Sequence, residues 1–410
     1  MRISYSVAAA ATAVMVISMF PGGGAAGTPG SSHVTLVGRA VLPVATYAGG
    51  PPSGTLLPPG VVNGITFPLQ AQPVQGFSSM VDGRTPGEYL AMPDNGYGGK
   101  ATSKDFLIRA YYIRPDFKTA TGGSGSVEVR DHISFRDPNG LIGFPIVNGA
   151  TTQRLLTGGD IDPESLNRAH NGDLWVGDEF GPWILHFDAA GVLLDRPFEI
   201  RGVRSPNNPF LNGASATQPN SRGFEAMAMT PNGKYLYAAL EGATVTDPDQ
   251  TRRHVYEFSI GNASFTGRTW EYRTSQPSFM VSDMAALDQH RFVLIERDAG
   301  LGATAQFRNI NMVDLRRVAD NGFLDARTVV DLTDIPDPHL ISLPAIHVGD
   351  IGLGNPYSVV CESVETVHPI QGDRLLVACD NNFPNKGRNP NLADDNEFIV
   401  VKVDGLDAAH

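Results

Sequence analysis

Five times along the chain a short β-rich apolar run turns back on a second such run, and polar or acidic side chains stand at the outer end of each. The blocks read GFSSM…YLAMPDNG, DIDPESL…DLWVGDEFG, RGFEAMAM…YLYAALEG, VSDMAAL…RFVLIERD and CESVETV…RLLVACDNN. Turn residues separate the runs, as in Met229-Thr230-Pro231-Asn232-Gly233-Lys234, where Pro and Asn-Gly favour chain reversal. Each block therefore predicts an antiparallel β-hairpin. A hairpin repeated at this interval predicts a closed repeat architecture, a β-propeller.

The leading positions are Ser78, Glu164, Glu225, Asp283 and Glu365, and the closing ones Asp94, Glu179, Glu241, Glu296 and Asp380. Their separations are 16, 15, 16, 13 and 15 residues. In an antiparallel hairpin the start of one strand faces the end of the other, so both positions lie at one end. Around a propeller those ends gather on one face near the central channel. Two carboxylates about 5 Å apart repel by roughly 3 kcal/mol at an effective dielectric of about 20. Raised pKa values, pairing with Arg222 or Arg297, or a bound cation would relieve this repulsion. An oxygen-only donor set selects a hard ion, and Ca²⁺ is the expected cofactor. Asp160, Asp162 and Glu164 alternate along one run and can share a face of a strand, which adds Asp162 to the expected ligands.

The remaining composition agrees with an all-β chain. The 45 glycines and 30 prolines work against long helices, and only Val313–Ala319 and Met284–His290 read as short helical turns. Val192–Ile200, Phe292–Ile295 and Phe398–Val403 read as strands, and 203–221 as a long loop. Residues 1–26 read as a signal peptide, with an N-terminal membrane anchor as the alternative; residues 27–410 read as one domain. At about 60 residues per four-stranded blade, that length predicts six blades of four antiparallel strands. The mature protein is expected to be secreted or extracytoplasmic, without a membrane span, and monomeric. A net charge of −12 argues against nucleic acid and anionic membrane as partners. Cys361 and Cys379 either form a disulfide that braces the fifth block or remain two buried thiols.

No Gly-x-Ser-x-Gly, His-Glu-x-x-His or phosphate-loop pattern is present. Hydrolysis assisted by a cation held at the acidic rim is one expectation for such a site. Asp162, Glu164, Glu179, Glu225, Glu241, Asp283, Glu296, Glu365 and Asp380 are the expected ligand set. Glu179 or Glu241 would act as general base, and Arg222 and Arg297 would stabilise developing negative charge. The small-molecule substrate is an ester. A phosphate ester is the expected substrate, a lactone or carboxylic ester on the same metal site is the alternative, and a non-catalytic extracellular binding propeller is the remaining reading.

Taken together, these motifs resemble the phytase-like propeller family, secreted and largely bacterial proteins described as having esterase-like activity of phytase. The resemblance runs from about Gly76 to Asn382. It implies a β-propeller with acidic residues at its working face and hydrolysis of phosphate or related esters. Glu164, Glu179, Glu225, Glu241, Asp283, Glu296, Glu365 and Asp380 match the acidic motif positions, and the first block departs with Ser78.

Overall fold

The computed structural model describes residues 34–370 and 372–406, so the expected signal peptide lies outside the described residues. The fold is all-β; among the described residues the one helical element is a 3₁₀ turn at Gly302–Thr304. After β1 (Val34–Leu42) come two small ribbons, β2 (Tyr47–Ala48) paired with β5 (Gln72–Pro73) and β3 (Gly60–Val62) with β4 (Ile65–Phe67). Four-stranded meanders follow. The first is β6 (Phe77–Asp82), β7 (Tyr89–Pro93), β8 (Arg109–Asp116) and β9 (Ser126–Ser134). The second is β10 (Pro163–Arg168), β11 (Leu174–Asp178), β12 (Trp183–Phe187) and β13 (Phe198–Glu199). The third is β14 (Phe224–Met229), β15 (Tyr235–Leu240), β16 (Arg252–Ser259) and β17 (Ser264–Arg273). The fourth is β18 (Met280–Ala286), β19 (Arg291–Arg297), β20 (Arg308–Val318) and β21 (Leu324–Asp331). Finally β22 (Ser363–Ile370), β23 (Arg374–Asp380) and β24 (Asn396–Val403) pair in turn, and β24 takes β1 from the other end of the chain as the fourth strand. This last group joins the first edge to edge through the parallel pair Val41–Ser126.

The described residues thus form five four-stranded groups, one fewer than chain length predicted. The residues of a sixth lie instead in the segment carrying β2–β5 and in the long connections 135–162, 200–223 and 332–362. Two local expectations also change. Val313–Ala319 begins within β20 and Met284–His290 begins within β18, so neither is helical. These outer and half-buried stretches mix exposed and buried positions in short runs, which imitates a helical period. The five hairpins themselves lie where the blocks placed them.

Burial explains the pattern. Inner strands such as β7 and β11 are buried at every position, while outer strands such as β9 alternate with solvent. The apolar faces meet between successive groups. Leu166, Val176 and Leu185 pack on Leu90, Ile108 and Ala110, whereas Phe224 and Leu236 pack on Trp175 and Ile184. Met284 and Phe292 meet Tyr237 and Tyr272, and Val364 and Val377 meet Val293 and Ile310. Leu376 and Phe398 then meet Phe77 and Tyr111 of the first group. The inner strands touch in the same order, β6 to β10, β14, β18 and β22, and β22 touches β6. Cys361 and Cys379 are bridged, tying the entry of β22 to β23.

Candidate functional site

Every inner hairpin carries a break in register at the same place. The ladder skips one residue between Phe77 and Ser79, Pro163 and Ser165, Phe224 and Ala226, Val281 and Asp283, and Val364 and Thr366. A bulge leaves one residue unpaired and re-aims its side chain. The five re-aimed residues are Ser78, Glu164, Glu225, Ser282 and Glu365. The partner of the residue before each bulge is Pro93, Asp178, Leu240, Glu296 and Cys379, so the next residues, Asp94, Glu179, Glu241, Arg297 and Asp380, are the structurally equivalent closing positions.

In the fourth block the equivalent pair is therefore Ser282 and Arg297, not Asp283 and Glu296. The separation was a readable signal: 282 to 297 is 15 residues, in line with the other four blocks, where 283 to 296 is 13. Asp283 turns the other way. Its carboxylate accepts the N–H groups of Met284 and Val367, both at 2.7 Å, and stitches β18 to β22. It borders a separate cavity of about 540 Å³ shared with Arg168, His170 and His368. Glu296 faces the neighbouring third group, where the Tyr272 hydroxyl of β17 and the Ser275 N–H at 2.6 Å donate to it, together with the Asn311 amide of its own sheet at 3.3 Å.

The other expected residues come together. Asp162, Glu164, Glu179, Glu225, Glu241, Glu365 and Asp380 line one pocket of about 240 Å³ with Arg222 and Arg297. Asp94 and Glu362, absent from the expected ligand set, line it too. Asp94 is the closing residue of the first block and was visible as such; Glu362 lies just before β22, where no repeat marks it. Nine carboxyl groups thus face two guanidinium groups.

The arginines divide the site. Arg297 is buried and donates to Glu365 at 2.8 Å and to Glu241 at 3.4 Å. Arg222, partly exposed, donates to the other oxygen of Glu241 at 2.6 Å. Burial alone would lower the pKa of Arg297, but Glu365, Glu241 and Glu225 more than offset this and raise it. The opposite half of the pocket holds two sets of three carboxylates, Asp94–Asp162–Glu164 and Glu164–Glu179–Glu225. Within each set the oxygens lie within 4.8 Å of one another, and Glu164 belongs to both. Burial, then the neighbouring carboxylates, pushes Asp94, Glu164, Glu225 and Asp380 well above the usual carboxyl range. Glu179 is raised in the same way, although the Gly223 N–H donates to it at 2.8 Å. Asp162 is pushed up to about 6, chiefly by burial, with hydrogen bonds from Glu164 and Asn95 holding it down.

One carboxylate oxygen of the pocket has no partner. Asp162 Oδ1 is buried, without a hydrogen-bond partner, and its residue lines the pocket. A buried unpaired carboxylate oxygen is unfavourable, and water or a cation answers it. The donors are all hard oxygens, carboxylate with the amides of Asn95 and Asn382 and the hydroxyl of Ser363 nearby, which fits Ca²⁺ and not a soft metal.

A secreted protein of Arthroderma benhamiae, described as uncharacterized, is 22% identical over 293 residues, 55% of this chain and 57% of that protein. The chain thus spans little more than half the length of that curated relative. Among solved structures, a luciferin-regenerating enzyme superposes with a TM-score of 0.36 at 11% identity, covering 82% of this chain and 80% of that one. A putative oxidoreductase (glucose dehydrogenase) from Thermus thermophilus gives 0.35 at 14% identity, over 90% and 99% of the two chains. Residues 72–383 match the family described as "Phytase-like: Esterase-like activity of phytase", and the chain belongs to that family.

Proposed function

We propose that the protein is an exported, cation-dependent hydrolase of phosphate esters, working at the acidic mouth of a five-bladed β-propeller. The single observation that carries this reading is the pair of carboxylate sets sharing Glu164, with the unpartnered Asp162 oxygen beside them. The ring of inner-strand contacts and the N-terminal strand β1 completing the last group support closure. The disulfide and the secreted relative support export.

Asp94, Asp162 and Glu164, and Glu164, Glu179 and Glu225, would hold the Ca²⁺. When bound, the ion would offset the pocket's negative charge, polarise the ester phosphorus and lower the pKa of water. The chain's own groups take the other roles. Arg222 is partly exposed at the mouth and is placed to orient an anionic ester oxygen and stabilise its growing charge. Arg297 is a positioning residue; it fixes Glu241 and Glu365 and keeps that side of the pocket free for the substrate anion. Glu241 is engaged by both arginines, whereas Glu179 gives one oxygen to the Gly223 N–H. With the ion held by Asp94, Asp162 and Glu164, the second oxygen of Glu179 is therefore the better placed to take a proton from the attacking water.

The test is turnover of phosphate monoesters and diesters by metal-free protein, with and without added Ca²⁺. Activity that appears with Ca²⁺ and disappears with a chelator supports the proposal. Activity that survives chelation contradicts it. Stabilisation by Ca²⁺ without turnover of phosphate, lactone or carboxylic esters would make the protein a binding module.

A further inference from the structure

A recess of about 150 Å³ opens beside the acidic mouth and shares Asp94, Gly98 and Asn382 with it. Its own walls are Leu57, Tyr97, Phe383 and Pro384, with Asn385 at one side. These come from three separate segments, and each is held. The Asp105 carboxylate accepts the N–H of Gly54 at 3.1 Å and of Thr55 at 2.7 Å, which fixes the turn that presents Leu57. The Tyr97 hydroxyl bonds Ser53 Oγ at 2.8 Å, so the ring presents its body to the recess and its polar end elsewhere. Asn63 donates to the Pro384 carbonyl at 2.9 Å. Beneath lies an aromatic cluster: Tyr97 meets Phe67 edge-on at 5.9 Å and Phe106 at 5.5 Å, and Phe67 lies 6.1 Å from Phe383.

We propose that this recess is the subsite for the organic half of the ester, and that it selects a compact ring. The inference rests on the hydrolase reading above. A cavity of roughly 150 Å³ is large enough for benzene, and this recess offers such a ring an apolar side of Leu57, Tyr97, Phe383 and Pro384 facing a polar side of Asp94, Asn382 and Asn385. The recess has that size, has rigid aromatic walls, and meets the carboxylate pocket where the ester would sit. None of its lining residues is basic, and Asp94 stands at the junction. The substrate is thus an ester of a phenol or a similarly small cyclic alcohol.

Phenylphosphonate and methylphosphonate separate the claims, because neither is hydrolysed and both carry the same anionic group. Calorimetric titration of the Ca²⁺-loaded full chain should show phenylphosphonate binding about tenfold or more tightly, within the roughly 10–200-fold that a well-filled apolar pocket provides. Leu57→Trp, on a half-buried turn, should fill the recess and erase that advantage while leaving methylphosphonate unchanged. Equal affinity of the two ligands for the wild-type protein overturns the subsite and leaves the hydrolase reading intact. An advantage that persists in Leu57→Trp also overturns the subsite. Binding of neither ligand in the presence of Ca²⁺ overturns both readings.

Discussion

Replacing Glu164 by Gln changes one charge at the residue common to both carboxylate sets and keeps its shape. Its oxygens lie within 4.8 Å of those of Asp94, Asp162, Glu179 and Glu225. At that distance and an effective dielectric of about 20, each ionised pair repels by roughly 3 kcal/mol. The raised pKa values show that the metal-free site already relieves part of this by holding protons. The net relief from Glu164→Gln is therefore a fraction of the summed repulsion, about 1–3 kcal/mol near neutral pH. In a chain of this size about 1 kcal/mol moves Tm by roughly 1–2 °C. Thermal melts in chelator should place Glu164→Gln a few degrees above wild type. Saturating Ca²⁺ should reverse the order: at a concentration of about 100 Kd the wild type gains about 2.7 kcal/mol, and the variant gains little. If the variant melts below wild type in chelator, Glu164 is a stabilising hydrogen-bond partner and the electrostatic argument is wrong. If Ca²⁺ leaves the wild-type Tm unmoved, the site holds no such ion.

Stability of the metal-free protein should fall as pH rises above the ordinary carboxyl range, because Asp94, Glu164, Glu179, Glu225 and Asp380 bind protons more tightly folded than unfolded; their contribution is complete below the ordinary carboxyl pKa and is lost through the raised values. Melts at rising pH check this, and Ca²⁺ should flatten the slope. Arg297→Gln removes the buried partner of Glu365 and Glu241 and should destabilise the metal-free protein by about 3–5 kcal/mol by denaturant titration, with a smaller loss in Ca²⁺. Asp283→Asn and Glu296→Gln should each lower stability by about 1–3 kcal/mol, through hydrogen bonds lost to backbone or to Tyr272, with no change in calorimetric Ca²⁺ affinity.

The hairpins were legible because their strands are buried on both faces and read as continuous apolar runs. The end at which Glu164, Glu179, Glu225, Glu241, Glu365 and Asp380 gather followed from antiparallel pairing alone. Four of the five bulge residues, Ser78, Glu164, Glu225 and Glu365, stood out as the polar residue that opens each block, but the fourth block offers Ser282 and Asp283 side by side and was read one residue out of step. Arg297 stood adjacent to the residue chosen, and what the cluster has at that corner is a cation, not another acid. The number of four-stranded groups was misjudged because length does not separate strands from the long connections that carry Leu57, Asn208 and Ile341. The closure of the last group by β1 was equally hidden, because it pairs residues more than 350 apart in sequence.

The most direct test is a crystal structure of the protein grown with Ca²⁺. An ion should contact Glu164 together with Asp94 and Asp162, or with Glu179 and Glu225, with about six to eight oxygens at ~2.3–2.6 Å. A mouth that stays empty at saturating Ca²⁺, with its carboxyl groups bonded to one another through shared protons, would contradict it.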